Sequence, residues 1–266
     1  MRTILHLSDL HFGRLDAAIL QPVRDAAIAI KPDLTVISGD VTQRARGWQF
    51  REAARFIESL PGAKLTVPGN HDVPLYNLPM RFGAPLWGFK RAIWRDPEPV
   101  YTDDEMIVVG LNSARSLTVQ DGRLSDEQLV RMRHVLCTSG DRARLVVCHH
   151  PFVLPAGSDE PLVGNVEEAI AAMAGCRVDA AMTGHLHTSF TTCRPLGHGA
   201  DQWGTVFIQA GTISMRTRGE EGAFNVIRLD QKRMSIDRHH WSAAGKAFAV
   251  SLAETYVKGE NGWVCA

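Results

Sequence analysis

Residues 4–11 read Ile-Leu-His-Leu-Ser-Asp-Leu-His: an apolar run, Ile4–Ser8, that stops at Asp9-Leu10-His11. The same pattern returns four times. Leu34–Ser38 runs into Gly39-Asp40, and Leu65–Pro68 into Gly69-Asn70-His71-Asp72. Leu145–Cys148 runs into His149-His150-Pro151, and Ala180–Thr183 into Gly184-His185-Leu186-His187. Short apolar runs rich in β-branched residues read as buried strands. Open α/β sheets bind ligands just beyond the carboxyl ends of their strands. Five such strands are expected to deliver Asp9, His11, Asp40, Asn70, His149, His185 and His187 to one edge of one sheet.

Helical signals separate the strands. Asp16–Ile30 reads as a helix that Pro22 splits or starts. Gly47–Leu60 carries Phe50, Ala53, Phe56, Ile57 and Leu60 at helical spacing. Ser125-Asp-Glu-Gln128 is a capping box opening the helix Asp126–Leu136. Met106–Leu111 is a further strand, and Val166–Ala174 a short amphipathic helix. Thr205–Ala210, Ala223–Leu229 and Arg233–Trp241 follow one another without helices, which predicts a closing antiparallel meander. Asn77–Pro99 is long, aromatic and proline-rich, as lids and binding loops often are. Phe152–Gly164 reads as a second active-site loop. Residues 1–242 are expected to form one domain, with 243–266 a tail that packs on it or mediates contacts.

The chemistry lies in the spacing. In an extended chain, side chains at i and i+2 point the same way, so Asp9 and His11 can share an ion, and His185 and His187 share a face. Gly39 permits a sharp turn before Asp40, whose two oxygens suit a bridge between cations. Asn70 offers a neutral amide oxygen. Imidazole mixed with carboxylate and carbonyl donors suits Mn, Fe or Zn better than Ca or Mg. His150 is predicted to support the site, because adjacent strand residues face opposite ways. His6, His134, His198, His239 and His240 read as surface or packing residues.

The ordered set Asp9-x-His11, Gly39-Asp40, Gly69-Asn70-His71-Asp72, His149-His150-Pro151 and Gly184-His185-x-His187 resembles the calcineurin-like metallophosphoesterase superfamily. Each block is weak alone; the ordered set is specific. The resemblance implies two divalent metal ions. Asp9, His11 and His187 would hold the first, Asn70, His149 and His185 the second, and Asp40 would bridge them. His71 would protonate the leaving oxygen or stabilise phosphoryl charge, and Asp72 would orient His71. Two cations about 3.5–4 Å apart clamp the attacking and leaving oxygens of an in-line displacement and acidify the bridging water. The implied fold is α/β, a four-layer α-β-β-α sandwich of two mixed sheets flanked by helices. The bimetal site would lie at the strand carboxyl ends.

Within the superfamily, Gly211–Ser214 before Phe224-Asn225-Val226-Ile227 looks most like the bacterial branch acting on cyclic nucleotides and glycerophosphodiesters. That implies a small-molecule phosphodiester substrate, with 3′,5′-cyclic nucleotides leading. Asn112, Arg115 and Arg44 are candidate substrate contacts, since Arg matches phosphate in a fork geometry. Arg46, Arg216 and Arg218 are weaker ones. Rival readings are a DNA nuclease, a lipid-precursor pyrophosphohydrolase, a phosphomonoesterase and a non-catalytic scaffold, the last disfavoured by the complete ligand set. Lys+Arg and Asp+Glu are both 29, so net charge gives no case for gripping long nucleic acid. No membrane span or signal segment is visible. Five cysteines without a CxxC pair fit reduced thiols in the cytoplasm. A homodimer built by the capping loop or the tail is compatible with the sequence.

Overall fold

Most of the apolar runs are buried on both faces, which is why they show no period-two alternation. The computed structural model describes residues 1–197, 202–219 and 221–266, so His198 lies outside the described residues. In chain order the elements are β1 (Arg2–Leu7), α1 (Ala17–Ile30), β2 (Leu34–Ser38), α2 (Gly47–Ser59), β3 (Ala63–Val67), a 3-10 turn at Asn70–Asp72, α3 (Leu78–Gly83) and α4 (Trp87–Ala92). Then come β4 (Val100–Thr102), β5 (Met106–Leu111), α5 (Asp126–Cys137), β6 (Ala143–Cys148), α6 (Val166–Gly175), β7 (Ala180–Thr183), β8 (Phe190–Leu196) and β9 (Trp203–Gln209). The chain closes with β10 (Ala223–Leu229), β11 (Arg233–Ser242), β12 (Ala247–Gly259) and β13 (Gly262–Cys265).

The strands form two leaves. One runs β3-β2-β1-β10-β11-β12, and the other β9-β7-β6-β5-β4, with β8 also paired to β9. β1, β2 and β3 are parallel, as are β5, β6, β7 and β9. The five motif strands therefore come from both leaves rather than from one, and their carboxyl ends meet at one end of the sandwich. Ile4, Val36 and Val67 of the first leaf pack on Val108, Val147 and Met182 of the second. α1 and α2 cover the outer face of the first leaf, and α5 and α6 that of the second. This is the four-layer arrangement. Each fully buried Leu or Phe contributes about 1.5–3 kcal/mol to it.

Several expectations need correction. Pro22 neither splits nor starts α1, which runs through it from the N-cap Asp16. Ile19, Val23 and Ala27 are buried on the leaf, and that packing outweighs one missing ladder bond. β9 is not part of the meander; it pairs in parallel with β7, and the antiparallel run is β10-β11-β12. The last residues are built into the sheet: β13 pairs with β12 and touches β9 at Gly262–Gly204, and Trp263 is buried in the inter-leaf core. The 77–99 segment is two short helices, with Leu86 and Phe89 in the core. Cys137 and Cys176 form a disulfide between the end of α5 and the residue capping α6, so the five cysteines are not all free thiols. Their pairing follows from helix packing, which spacing along the chain does not reveal.

Candidate metal centre and active site

The parallel register Ile4↔Leu34 to Leu7↔Ile37 continues past the strand ends. Asp9 N donates to Gly39 O at 3.1 Å, His11 N to Asp40 O at 2.9 Å and Phe12 N to Val41 O at 3.0 Å. This brings three ligand candidates together, but not by extended geometry. Asp9, His11, Asp40, His185 and His187 have φ of 53°, 45°, 50°, 75° and 60°. Left-handed backbone costs a residue with a Cβ about 1–3 kcal/mol and concentrates at functional sites. The i, i+2 argument therefore reached the right gathering by the wrong geometry. His185 and His187 also face different partners.

Two groups of donors result. In the first, His187 Nε2 lies 3.0 Å from His11 Nε2 and 3.2 Å from Asp9 Oδ1, and His11 Nε2 lies 3.6 Å from Asp9 Oδ1. In the second, His149 Nε2 lies 3.1 Å from Asn70 Oδ1 and 3.3 Å from His185 Nδ1. Asp40 Oδ2 joins them, at 3.7 Å from His11 Nε2 and 3.5 Å from His149 Nε2. Such separations match the polyhedron edges, about 3.0–3.5 Å, of an ion with bonds of about 2.0–2.2 Å. Asp9 Oδ1 is buried with no hydrogen-bond partner, a costly state for a carboxylate oxygen unless a cation meets it. The donor set thus fits divalent ions. His150 sits close to His149 and His185, yet its Nδ1 is 2.7 Å from Ser113 Oγ and its Nε2 2.7 Å from Gln120 O. Both ring nitrogens are engaged, which makes it a support.

Neighbouring groups aim the candidate ligands. His149 Nδ1 donates to Ser38 O at 2.8 Å, and His187 Nδ1 to Arg216 O at 2.6 Å, leaving each Nε2 lone pair for a metal. Each carboxylate spends one oxygen on being held. Asp9 Oδ2 accepts from Ser8 Oγ and His185 N, and Asp40 Oδ1 from His71 N. Gly184 packs so tightly that a Cβ there would lie 1.8 Å from Ser8 Oγ and 2.6 Å from Asp9 Oδ2. Gly184→Ala is therefore expected to lower bound metal by at least half under conditions that saturate the parent, measured by elemental analysis of the folded protein. Unchanged metal content would contradict the packing account.

Burial would raise the Asp40 carboxyl, but His149, His71 and His11 outweigh it and hold it well below the carboxylate range. Burial would lower His149, but Asp40 and Asp9 raise it to about 9. Burial lowers His11 and His185 to about 4. The signs give a pH profile for chelated protein. Below the ordinary histidine value of about 6.5, the unfolded chain binds protons that His11 and His185 refuse, so stability falls toward pH 4. Above it, the folded chain must release the His149 proton, so stability falls toward pH 9. Thermal melts of metal-free protein should peak near pH 6.5; a steady rise to pH 9 would contradict this.

His71 lines a cavity of about 180 Å³ with Gln43, Arg44, Arg81, Gln120 and Arg216. Its Nδ1 donates to Gln43 O at 2.9 Å, an acceptor shared with Arg44 Nη1 at 3.1 Å, and that guanidinium nitrogen also lies 2.9 Å from Nδ1. A guanidinium only donates, so Nε2 accepts from Arg216 Nη1 at 2.7 Å. Burial first, then Arg216 and Arg44, push His71 below its ordinary value against the pull of Asp40. Asp72 does not orient this ring. Its carboxylate accepts from Gly69 N, Val41 N, Thr42 N and Thr42 Oγ1 at 2.8–3.2 Å and staples two loops together. Asp72→Ala would strand buried donors and is expected to cost about 3–4 kcal/mol, lowering Tm by roughly 10 °C. A loss under 2 °C would contradict the staple.

Of the expected substrate contacts, Arg44 reaches the cavity and two do not. Arg115 donates to Asn112 O, Ala114 O and Gln128 Oε1, and the Asn112 side chain accepts from Ala114 N. Both are spent on local structure beyond β5. Arg218 pairs with Glu160 of the 152–164 loop. Arg216 is the residue that the sequence reading underweighted, and the carbonyls of Ser38 and Arg216 carry no side-chain signal at all.

Comparison with known proteins agrees with this geometry. The chain is 26% identical over 209 residues to a probable cyclic nucleotide phosphodiesterase of Synechococcus sp., covering 73% of this chain and 76% of that protein. It is 29% identical over 167 residues to a probable glycerophosphodiester phosphodiesterase, GpdQ, of Arcobacter nitrofigilis, covering 61% of this chain and 59% of that protein. The fold overlays the structure of PhoD with a TM-score of 0.74 at 10% identity, over 100% of this chain and 71% of the other. Among the described residues no helix is long and apolar enough to cross a membrane. The profile of the family described as calcineurin-like phosphoesterase matches residues 2–189, and with that match the chain belongs to the calcineurin-like phosphoesterases, as a metal-dependent phosphoester hydrolase.

Proposed function

We propose that this chain hydrolyses phosphodiesters. Asp9, His11 and His187 hold one divalent ion, Asn70, His149 and His185 hold the other, and Asp40 is shared. The observation that carries the reading is the Asp40 carboxylate, whose Oδ2 faces a member of each donor group. Mn, Fe or Zn suits these nitrogen and oxygen donors; bound there, two such ions supply charge neutralisation and an acidified water.

The chain's own residues do the rest. His71 Nε2 meets the leaving oxygen. In the free protein Arg216 occupies that nitrogen; an arriving phosphate draws the guanidinium onto its own oxygens and releases Nε2 to carry a proton. Water oxygen bonds to phosphorus and gives up one proton, the P–O bond to the leaving group breaks in line, and the leaving oxygen takes a proton from His71 Nε2, which the proton lost by the water restores. The products are a phosphomonoester and an alcohol. Cyclic nucleotides are the first substrates to try and glycerophosphodiesters the second, supported by what the relatives are named for. A cytoplasmic setting stays part of this reading on the three free cysteines, Cys148, Cys193 and Cys265. It requires that the Cys137–Cys176 bond open without loss of activity.

The test is turnover of bis(p-nitrophenyl) phosphate against p-nitrophenyl phosphate by chelated protein refilled with Mn²⁺. The diester should be preferred. Preference for the monoester would replace the reading with a phosphatase.

A further inference from the structure

The small cavity at His71 opens past Arg44 and Leu75 into a second, of about 460 Å³, lined by Arg44, Arg46, Phe50, Tyr76, Met80 and Trp87. Across Phe50 and Trp87 lies a third, of about 550 Å³, that adds Arg51, Arg55 and Arg91. The second and third are within the roughly 300–1,000 Å³ that encloses a ligand of drug size. The three share walls and make one track leading away from the ring that meets the leaving oxygen.

Its lining gathers arginines. Some arginines elsewhere are paired, as Arg131 is with Glu98, Arg218 with Glu160 and Arg228 with Asp237. Arg46, Arg51 and Arg55 have no carboxylate partner among the described residues. The one acid in the track's lining is Asp72, whose oxygens are taken by the loop staple. Tyr76 and Trp87 are 78% and 53% exposed, large rings left in water beside these cations. Arg91 sits over the Trp87 ring at 5.2 Å.

Unpaired guanidinium groups alternating with exposed aromatic rings recognise single-stranded nucleic acid: the rings stack bases and the cations follow the backbone. We infer that the leaving half of the substrate is a linear oligonucleotide, with one nucleoside in each of the two outer cavities and its phosphates on Arg46, Arg51 and Arg55. This rests on the phosphodiesterase reading and puts a linear substrate ahead of the cyclic nucleotides. A cyclic nucleotide has no separate leaving group to fill the track, whereas a linear one does. The net charge that argued against nucleic acid averages over the whole surface and hides this stripe.

The experiment has a binding arm and a turnover arm. Fluorescein-labelled tetrathymidylate is titrated with metal-free protein by fluorescence anisotropy, at two salt concentrations. Parent protein should bind, bind less at higher salt, and lose about tenfold or more in affinity in Trp87→Ala and in the Arg46→Ala/Arg51→Ala pair. With Mn²⁺, kcat/KM for trithymidylate relative to methyl p-nitrophenyl phosphate should fall at least tenfold in the same variants, and trithymidylate should exceed 3′,5′-cyclic AMP in the parent. Turnover of the small diester with no Trp87-dependent binding or selectivity would overturn the inference and leave the phosphodiesterase reading standing. Absence of turnover on every diester would sink both. Melting curves of the variants separate a lost contact from a lost fold.

Discussion

Asp40→Ala should lower diester turnover by about 10³–10⁵ and leave the protein with at most one tightly held divalent ion. Asp40 Oδ2 lies within 4 Å of histidines from both groups, His11 and His149. Removing it takes a full negative charge from a buried space that already raises His149 to about 9. It also frees His71 N from Oδ1, so the ring proposed to meet the leaving oxygen loses its backbone anchor. Three losses fall on one substitution, which makes it the largest effect expected. Asp40→Asn separates them: the amide oxygen keeps the hydrogen bond from His71 N, while the charge is gone. Steady-state turnover with metal analysis on the same samples checks the pair. An Asp40→Asn variant holding two ions at parental affinity would contradict the shared-carboxylate account.

His71→Ala should lower kcat by about 10²–10⁴ with metal content unchanged, because no donor atom of either group belongs to it. The loss should depend on the leaving group. An alkoxide needs a proton as it departs, and a nitrophenolate needs much less. The drop for an alkyl diester should therefore exceed that for bis(p-nitrophenyl) phosphate by at least tenfold. Equal drops would assign His71 to holding the phosphate rather than to moving a proton. Arg216→Ala is the companion variant. It frees Nε2 from a competing donor but removes a phosphate contact, so KM should rise more than kcat falls.

The fold was legible because its signals are local. β1, β2, β6 and β7 are apolar on both faces and end at the candidate site residues, so strand and candidate site are read together along the chain. Ser125 and Gln128 formed their capping box, with Gln128 N donating to Ser125 Oγ and Ser125 N to Gln128 Oε1. What escaped the scan depends on distant partners. The left-handed backbone at Asp9 and His11 is imposed by pairing to Gly39 and Asp40 across the neighbouring loop. β12 is exposed along most of its length, so no burial pattern marks it. Asp72 looked like a partner of His71 because the two are adjacent, yet in the tight Asn70–Asp72 turn neighbours project apart. Arg216 reaches His71 from 145 residues away, with no spacing rule to announce it.

The central claim is that two ions share Asp40. Electron paramagnetic resonance of chelated protein refilled with Mn²⁺, read beside Mn analysis, tests it most directly. The account predicts two Mn²⁺ per chain with the spectrum of an exchange-coupled pair, and loss of that coupling in Asp40→Ala. One ion per chain, or two that give only the spectrum of isolated Mn²⁺, would contradict it.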